Sequence, residues 1–425
     1  MKGRTNWSTA SIKSPYRSQG VSETSALAAE MRDALRSQAR ADLVVGIPSF
    51  RNAATIGHVT KTAAEGLRRH FPEMRAVIVN ADGGSDDGTR DRVRASADGV
   101  PTVAGRYEGR SGKGSAFRAI FEAVVLLNAK ACAVVDSDLR SITPEWIARL
   151  VGPVIRGEAD YVTPLYARHK HDGTITNTIA YPLTRALYGA RVRQPIGGEF
   201  GFGADLARIY LAEPVWDSDV ARFGIDIFMT TTALLRGVRV AQAFLGAKIH
   251  DPKDPGADLG PMFTQVVGTL LTLARKNVDV WRSVTGSRDV PVIGEVTAVE
   301  PEAVNASVRV LVEKFRATAA DQEQSWTEIL SADTRDVARK AAETGNASAI
   351  GARFWAKAVY EIVAAAKERD DTESLARALL PLYFGRVAAL IGEVQGLDQA
   401  GAERVVEQQA LAFEQTKPYL LERWA

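Results

Sequence analysis

Short apolar runs alternate with segments of helical period from Asp42 onward. Residues 43–47, 76–80, a stretch near Val103 and residues 131–135 are apolar, partly β-branched and free of charge, which is how strands buried on both faces of a parallel sheet read. Between them, residues 55–70, 91–97 and 114–128 have the spacing of helices, the last with Phe117, Phe121, Val124 and Val125 on one face. Pro144 suits the first helical position of a further helix, with Thr143 as its N-cap. This β-α-β-α order predicts an α/β fold with a mostly parallel, doubly wound sheet.

Past Gly152 the rhythm loosens. A strand near 161–163, a helix over 176–188, a helix over 225–236, a strand at 238–244 and a helix over 259–276 complete the alternating part. Beyond about Asn277 strand signals fade, and residues 303–317, 354–367 and 373–394 have helical periodicity, separated by polar stretches at 319–324 and 341–348. The expected organisation is an N-terminal tail and short helix over 1–41, with Leu27, Met31 and Leu35 on one face. A catalytic α/β domain follows over 42–276, split into halves at 140, and then an all-helical lobe over 277–425. Neither an internal repeat nor a low-complexity tract stands out. The apolar stretch Leu379-Leu380-Pro381-Leu382-Tyr383-Phe384 either packs in a core or forms a homodimer contact.

Composition narrows the function classes. The balance of 53 basic against 51 acidic residues gives a net charge of +2, with no electrostatic footprint for nucleic acid. Cys132 is the sole cysteine, which excludes an intramolecular disulfide and a cysteine metal cluster and fits a cytoplasmic protein. The apolar runs fall short of the ~18 residues needed to span a bilayer. The polar stretch 1–19 lacks the apolar core of a secretory signal and reads as a mobile tail.

The candidate chemistry gathers at predicted strand ends, where open α/β sheets bind ligands. Asp136-Ser137-Asp138 closes the 131–135 run, with two carboxylates at i and i+2. Hard divalent cations take carboxylate oxygens and keep phosphate oxygens as co-ligands, so the pattern suits a metal gripping a nucleoside diphosphate. A solvated strand-end loop is the plain alternative. Gly46-Ile47-Pro48-Ser49-Phe50 supplies a stiff wall for a flat base or an ordinary strand-to-helix turn. Asp82, in Asn80-Ala81-Asp82-Gly83-Gly84-Ser85-Asp86, either accepts a hydrogen bond from a base or closes an Asx turn. Ser111-Gly112-Lys113-Gly114 opens a helix, where free N–H groups and the lysine favour an anion; the spacing is not that of a P-loop. His250, one of five histidines, suits a carboxylate metal site, especially one for manganese, or is simply exposed. Glu199 and Asp226 are placed either to hold sugar hydroxyls or to serve as structural acceptors and caps. His58, His70, His169 and His171 read as surface or local-packing residues.

Taken together, the motifs resemble a nucleotide-sugar-dependent glycosyltransferase of the A-type (GT-A) fold, and most closely the retaining glucosyl-3-phosphoglycerate, glucosylglycerate and mannosylglycerate synthases. Ser111-Gly112-Lys113-Gly114, Val135-Asp136-Ser137-Asp138-Leu139, Leu150-Val151-Gly152-Pro153, Gln194-Pro195-Ile196-Gly197-Gly198-Glu199, Phe223-Gly224-Ile225-Asp226 and Lys248-Ile249-His250 carry the likeness, in the family's order, over residues 43–276. The resemblance implies that Pro48, Ser49, Asp82, Asp136 and Ser137 hold the nucleotide of the donor and that Lys113 contacts it. It implies Asp138 and His250 as ligands of Mg²⁺ or Mn²⁺, with Asp136 near the ribose or the metal. Glu199 and Asp226 would orient the donor sugar and the attack site, while Arg168, Gly173 and Thr176 would grip the acceptor.

One departure bears on the acceptor. Where phosphoglycerate-using members resemble Gly-Arg-x-Thr, this chain has Gly173-Thr174-Ile175-Thr176, and where they carry Arg and Asn after the metal histidine it has Asp251 and Pro252. Arginine is the favoured fork for phosphate, so the expectation is transfer of glucose or mannose from a UDP- or GDP-linked donor to the 2-hydroxyl of D-glycerate, a compatible-solute reaction, rather than to 3-phosphoglycerate. Retention by front-face attack, with the leaving phosphate oxygen taking the acceptor proton, is the expected course. A sugar nucleotidyltransferase and a non-catalytic nucleotide-sugar sensor are the rival classes.

Overall fold

The computed structural model describes residues 25–249 and 259–425; the polar N-terminal stretch and His250 lie outside them. Helix α1 (Ala29–Ser37) precedes the first strand, β1 (Leu43–Ser49). Leu27 is not part of that helix but pairs across to Tyr107. The chain then runs α2 (Ile56–His70), β2 (Ala76–Asp82), α3 (Thr89–Ser96), β3 (Thr102–Arg106), α4 (Lys113–Leu126), β4 (Ala131–Val134), α5 (Pro144–Ile155) and β5 (Tyr161–Ala167). Pro144 opens α5 as expected, but Thr143 caps it without a side-chain hydrogen bond. A π-helical turn, Thr176–Ala180, leads into α6 (Tyr181–Tyr188), β6 (Ala190–Arg191), β7 (Phe200–Gly203), α7 (Ala204–Ala212), α8 (Ile225–Leu235), β8 (Val240–Ala247), α9 (Leu259–Lys276) and α10 (Val278–Ser283).

Among the described residues the main sheet has eight strands, the last being β10 (Val292–Ile293), in the order β10-β8-β5-β7-β4-β1-β2-β3. β1 is parallel to both β2 and β4, whereas β7 runs antiparallel between β4 and β5. The sheet is therefore mixed and mostly parallel. Alternate residues of one strand feed opposite layers. Val44 packs with α4 and Phe202, while Leu43, Val45 and Ile47 pack with α2 and α5. Burial on both faces is why the strand reads as an unbroken apolar run.

Several expectations need correction. Pro48 and Ser49 are the last residues of β1, not a loop beyond it; Pro48 pairs with Ala81 and Ser49 with Asp82. β7 has no apolar run to announce it, because its sequence is Phe-Gly-Phe-Gly. A Cβ at Gly201 would collide with the Leu150 carbonyl, so the close packing of β7 on α5 requires glycine there. Residues beyond 277 are not all helical: β10 extends the sheet edge beside β8, and β9 (Arg288–Asp289) pairs with β6.

The helical region holds α11 (Val308–Ala319), α12 (Glu323–Ile329), α13 (Ala332–Thr344), α14 (Ala352–Ala365), α15 (Thr372–Val394) and α16 (Gln399–Trp424). Its core is continuous with α6 and α9 of the preceding region. Leu379, Leu382, Tyr383 and Phe384 are buried in that core, so the apolar stretch serves packing. α15, at 23 residues, is long and apolar enough to cross a bilayer by length and composition, but 83% of its apolar window is buried inside the protein. Arg386 lies fully buried on it, bound to Glu393 at 2.6 Å and to Gln409.

Candidate active site

The carboxyl ends of β1, β4 and β8 open into one cavity of about 480 Å³. Pro48, Ser49, Lys113, Asp136, Ser137, Asp138, Arg168, Gly173, Thr176 and Asp226 all line it. The structure thus brings together most of the residues singled out from sequence, at the sheet edge where they were expected.

Lys113 enters as the first residue of α4. The glycine after it is a packing requirement, since a Cβ on Gly114 would strike the Val220 carbonyl. The Gly114 N–H donates to Arg222 O at 3.1 Å. This close approach sets the start of α4 against the segment leading to α8, where Asp226 sits. Lys113 Nζ lies 2.9 Å from Asp136 Oδ1 and 3.3 Å from Asp226. Burial would lower the lysine's pKa, but Asp136, Asp226 and Glu199 hold it above its ordinary value, fully charged.

Lys248, which sequence reasoning quoted in a motif without giving it a role, is the second cation of this floor. It follows β8, and its Nζ lies 2.9 Å from Glu199 Oε2, 3.3 Å from Asp136 Oδ2 and 2.8 Å from Gly197 O. The five groups form an alternating ladder, Glu199–Lys248–Asp136–Lys113–Asp226. Burial alone would raise Asp136, but the two lysines overrule it and hold that carboxyl well below the usual range. The ladder has more acids than bases, and the surplus shows at its ends. Burial pushes the Glu199 carboxyl up to about 7, with Lys248 pulling it back and Asp136 adding to the rise. Burial likewise raises Asp226, against the pull of Lys113.

Two assignments change. Asp82 does not face the cavity. It is fully buried, and its Oδ1 accepts the N–H groups of Gly84 (2.9 Å) and Ser85 (2.6 Å) while its Oδ2 accepts the hydroxyls of Ser49 (2.8 Å) and Ser85 (2.7 Å). It closes a turn and leaves nothing for a base. Glu199 is also fully buried and lies beneath the floor rather than on it. Lys248 and the Tyr166 hydroxyl bind its carboxylate, so it supports the site and does not reach a sugar. The end of the cavity expected from sequence to take the nucleotide presents Ser137, whose hydroxyl donates to Asn52 Oδ1 at 2.8 Å, together with Tyr107 and the half-exposed ring of Phe50.

At the opposite end, Arg168 pairs with Asp172 at 3.2 Å and lies over the Tyr166 ring. Gly173 adjoins its side chain, and Thr176 lies beside Gly173. Thr174 also lines this end, and its hydroxyl lies 2.7 Å from the Tyr383 hydroxyl on α15. His171, read as a surface or local-packing residue, lines this end of the cavity.

Asp138 lines the cavity and makes no hydrogen bond or ion pair among the described residues. An uncommitted carboxylate next to a lysine-held one fits a hard divalent cation. No three metal-ligating side chains converge among the described residues. His250 lies outside them, but the chain up to Ile249 is pinned beside Asp138, since Ile249 N–H donates to Ser141 Oγ at 2.9 Å and Arg140 N–H to Ile249 O at 2.8 Å.

A mostly parallel sheet carries paired acids and lysines around one cavity at its carboxyl edge, and the profile of glycosyl transferase family 2 matches residues 44–217. Among proteins of known name, the chain is similar to the glucosyl-3-phosphoglycerate synthase of Mycolicibacterium paratuberculosis, with 27% identity over 249 residues, 54% of this chain and 71% of that protein. The Mycobacterium tuberculosis synthase of the same name is 26% identical over 54% of this chain and 72% of its own. Its crystal structure with Mn²⁺, UDP-glucose and phosphoglyceric acid aligns with a TM-score of 0.43 at 25% identity, covering 57% of this chain and 82% of that one.

Proposed function

We propose that this protein moves glucose or mannose from a UDP- or GDP-linked donor to the 2-hydroxyl of D-glycerate, with retention of configuration and with Mg²⁺ or Mn²⁺. The observation that carries this reading is the shared cavity in which Lys113 and Asp226 meet Asp136 and the uncommitted Asp138. Lys113 is the cation for the leaving diphosphate, and a positively charged group fixed where charge develops contributes on the order of 10²–10³ to the rate. Asp138, with His250, would hold the metal, which when bound supplies further neutralisation of the diphosphate. Asp226 orients the donor sugar. The acceptor binds at Arg168, Gly173 and Thr176, and its proton passes to the departing phosphate oxygen.

The charge at the acceptor end supports glycerate. Among the described residues the guanidinium there, Arg168, is already paired with Asp172. Thr174, bonded to Tyr383, brings no charge. A phosphate dianion would find little uncommitted positive charge. The names of the relatives favour 3-phosphoglycerate instead, and that is the second reading. A cytoplasmic homodimer is part of the same proposal, and light scattering would test the assembly.

A panel of UDP-glucose, GDP-glucose and GDP-mannose with D-glycerate or 3-phosphoglycerate, with Mn²⁺ or chelator, tests the reading. Nucleoside diphosphate release that needs D-glycerate and metal is expected, with an α-linked product by NMR. A higher kcat/KM for 3-phosphoglycerate would replace the acceptor. Pyrophosphate release, or donor binding without turnover, would replace the reaction class. A covalent glycosyl-enzyme trapped on Asp226 would replace the front-face course.

A further inference from the structure

Lys248 is the charged group of the floor whose use the reaction does not explain. Its ammonium has three N–H donors. All three are spent, on Gly197 O, Glu199 and the Oδ2 of Asp136. A lysine in this state has no donor left for a diphosphate or a sugar, although its side chain borders the cavity.

What it does instead follows from where its partners come from. Asp136 follows β4, Glu199 precedes β7 and Lys248 follows β8, so one ammonium ties the ends of three strands together. β5 and β7 lie between β8 and β4 in the sheet. Glu199 is locked from below by the Tyr166 hydroxyl and touches the Asp136 N–H at 3.4 Å. Lys248 is thus anchored on a buried base and holds one oxygen of Asp136. The other oxygen holds Lys113. Without Lys248, Asp136 would have Lys113 as its sole close cation among the described residues, and that cation would be drawn fully onto Asp136 and Asp226.

We infer that Lys248 is a positioning residue, which shares the charge of Asp136 and so leaves Lys113 aimed and free to exchange its carboxylate partner for the leaving diphosphate. The inference rests on the functional reading above. The buried acid Glu199 then has a task as well: it is the seat of Lys248, not a group that meets substrate. A displacement of about 1 Å at a group that stabilises developing charge costs on the order of a hundredfold in rate. Groups that bind the ground state directly show their loss in affinity instead.

The test compares Lys248→Met with Lys113→Met in the full-length protein, reading kcat, donor KM and the calorimetric affinity for UDP with Mn²⁺. For Lys248→Met we expect kcat to fall about a hundredfold while UDP affinity falls less than about fivefold, because the ammonium makes no ligand contact. For Lys113→Met we expect both to fall. Unchanged kcat in folded Lys248→Met, with only the melting temperature lowered, would make the residue merely structural and overturn the inference. So would a UDP affinity lost as severely as in Lys113→Met, since that would mean direct contact. If wild-type protein neither binds UDP nor turns over, the functional reading fails, and a crystal structure of ligand-free Lys248→Met decides separately. A Lys113–Asp136 contact that stays as in wild type overturns the positioning role, and a displaced one upholds it.

Discussion

The two ends of the cavity are built from different materials. The floor proposed for the donor is held by charges that pair with one another at strand ends: Lys113 with Asp136 and Asp226, Lys248 with Asp136 and Glu199. The opposite end, proposed for the acceptor, is held from outside, by the helical region. Arg193 pairs with Glu403 at 2.6 Å, Arg185 with Glu407 at 2.7 Å and Glu414 at 2.8 Å, and the Trp355 indole donates to Thr178 O at 2.6 Å. Thr174 meets Tyr383 in the same interface. The difference separates two kinds of dependence. Changes at the floor should cost activity before stability, while changes at the far end should cost stability and acceptor selection together.

The largest effect tests the far end. Trp355 is fully buried and bonds to the backbone of the π-helical turn. Trp355→Ala should lower unfolding free energy by about 3–5 kcal/mol, measured by urea denaturation, and loosen the 168–193 segment in hydrogen exchange. A loss below about 1 kcal/mol would deny that the helical region holds this segment. At the floor, Asp138→Asn should reduce turnover about a hundredfold with a melting temperature close to wild type, because its carboxylate binds nothing else among the described residues. Equal loss of stability and activity would erase the contrast between the ends.

Glu199 gives the next effect. Its folded-state pKa, near 7, is above its ordinary value of 4.5. Between these values the native state binds more protons than the unfolded one, so wild-type stability falls as pH rises from about 4.5 to 7 and levels off above. Glu199→Gln lacks this titration, and its stability relative to wild type should rise across that window by on the order of 2 kcal/mol. Parallel curves for the two proteins would show that the carboxyl is ionised throughout. The smallest effect is at the Thr174–Tyr383 hydroxyl pair. Tyr383→Phe should cost about 1 kcal/mol and raise acceptor KM while leaving donor KM unchanged; a shift in donor KM would break the division.

The alternating core was legible because strands buried on both faces leave apolar runs, as in Leu43–Ser49 and Ala131–Val134. β7 was not, since glycine carries its close packing and leaves no such trace. α16 also escaped, because its buried face mixes Gln409 and Lys417 with Val406, Phe413 and Leu420, which interrupts the helical apolar pattern. In the site, Lys113, Asp136, Asp138 and Asp226 fell where strand ends and a helix start predicted. Asp82 and Glu199 were acids in the right loops that turn away from the cavity. Which way a carboxylate faces depends on donors brought from elsewhere, Ser49 for Asp82, and Tyr166 and Lys248 for Glu199. Spacing along the chain does not encode those. Lys248 could have been found from its place after a strand, directly ahead of Ile249 and His250.

The reversed direction of β7 limits how this enzyme can be re-engineered. Connectors leaving β1, β4 and β8 meet the cavity as tails of their strands, and a graft there disturbs one junction. The stretch before Phe200 meets it as a lead-in, so a transplanted loop must deliver Phe200 opposite Val134 and keep Gly201 seated on Leu150. A single inserted residue at that junction would turn every side chain of the strand over, and library designs should treat residues 192–203 as one cassette.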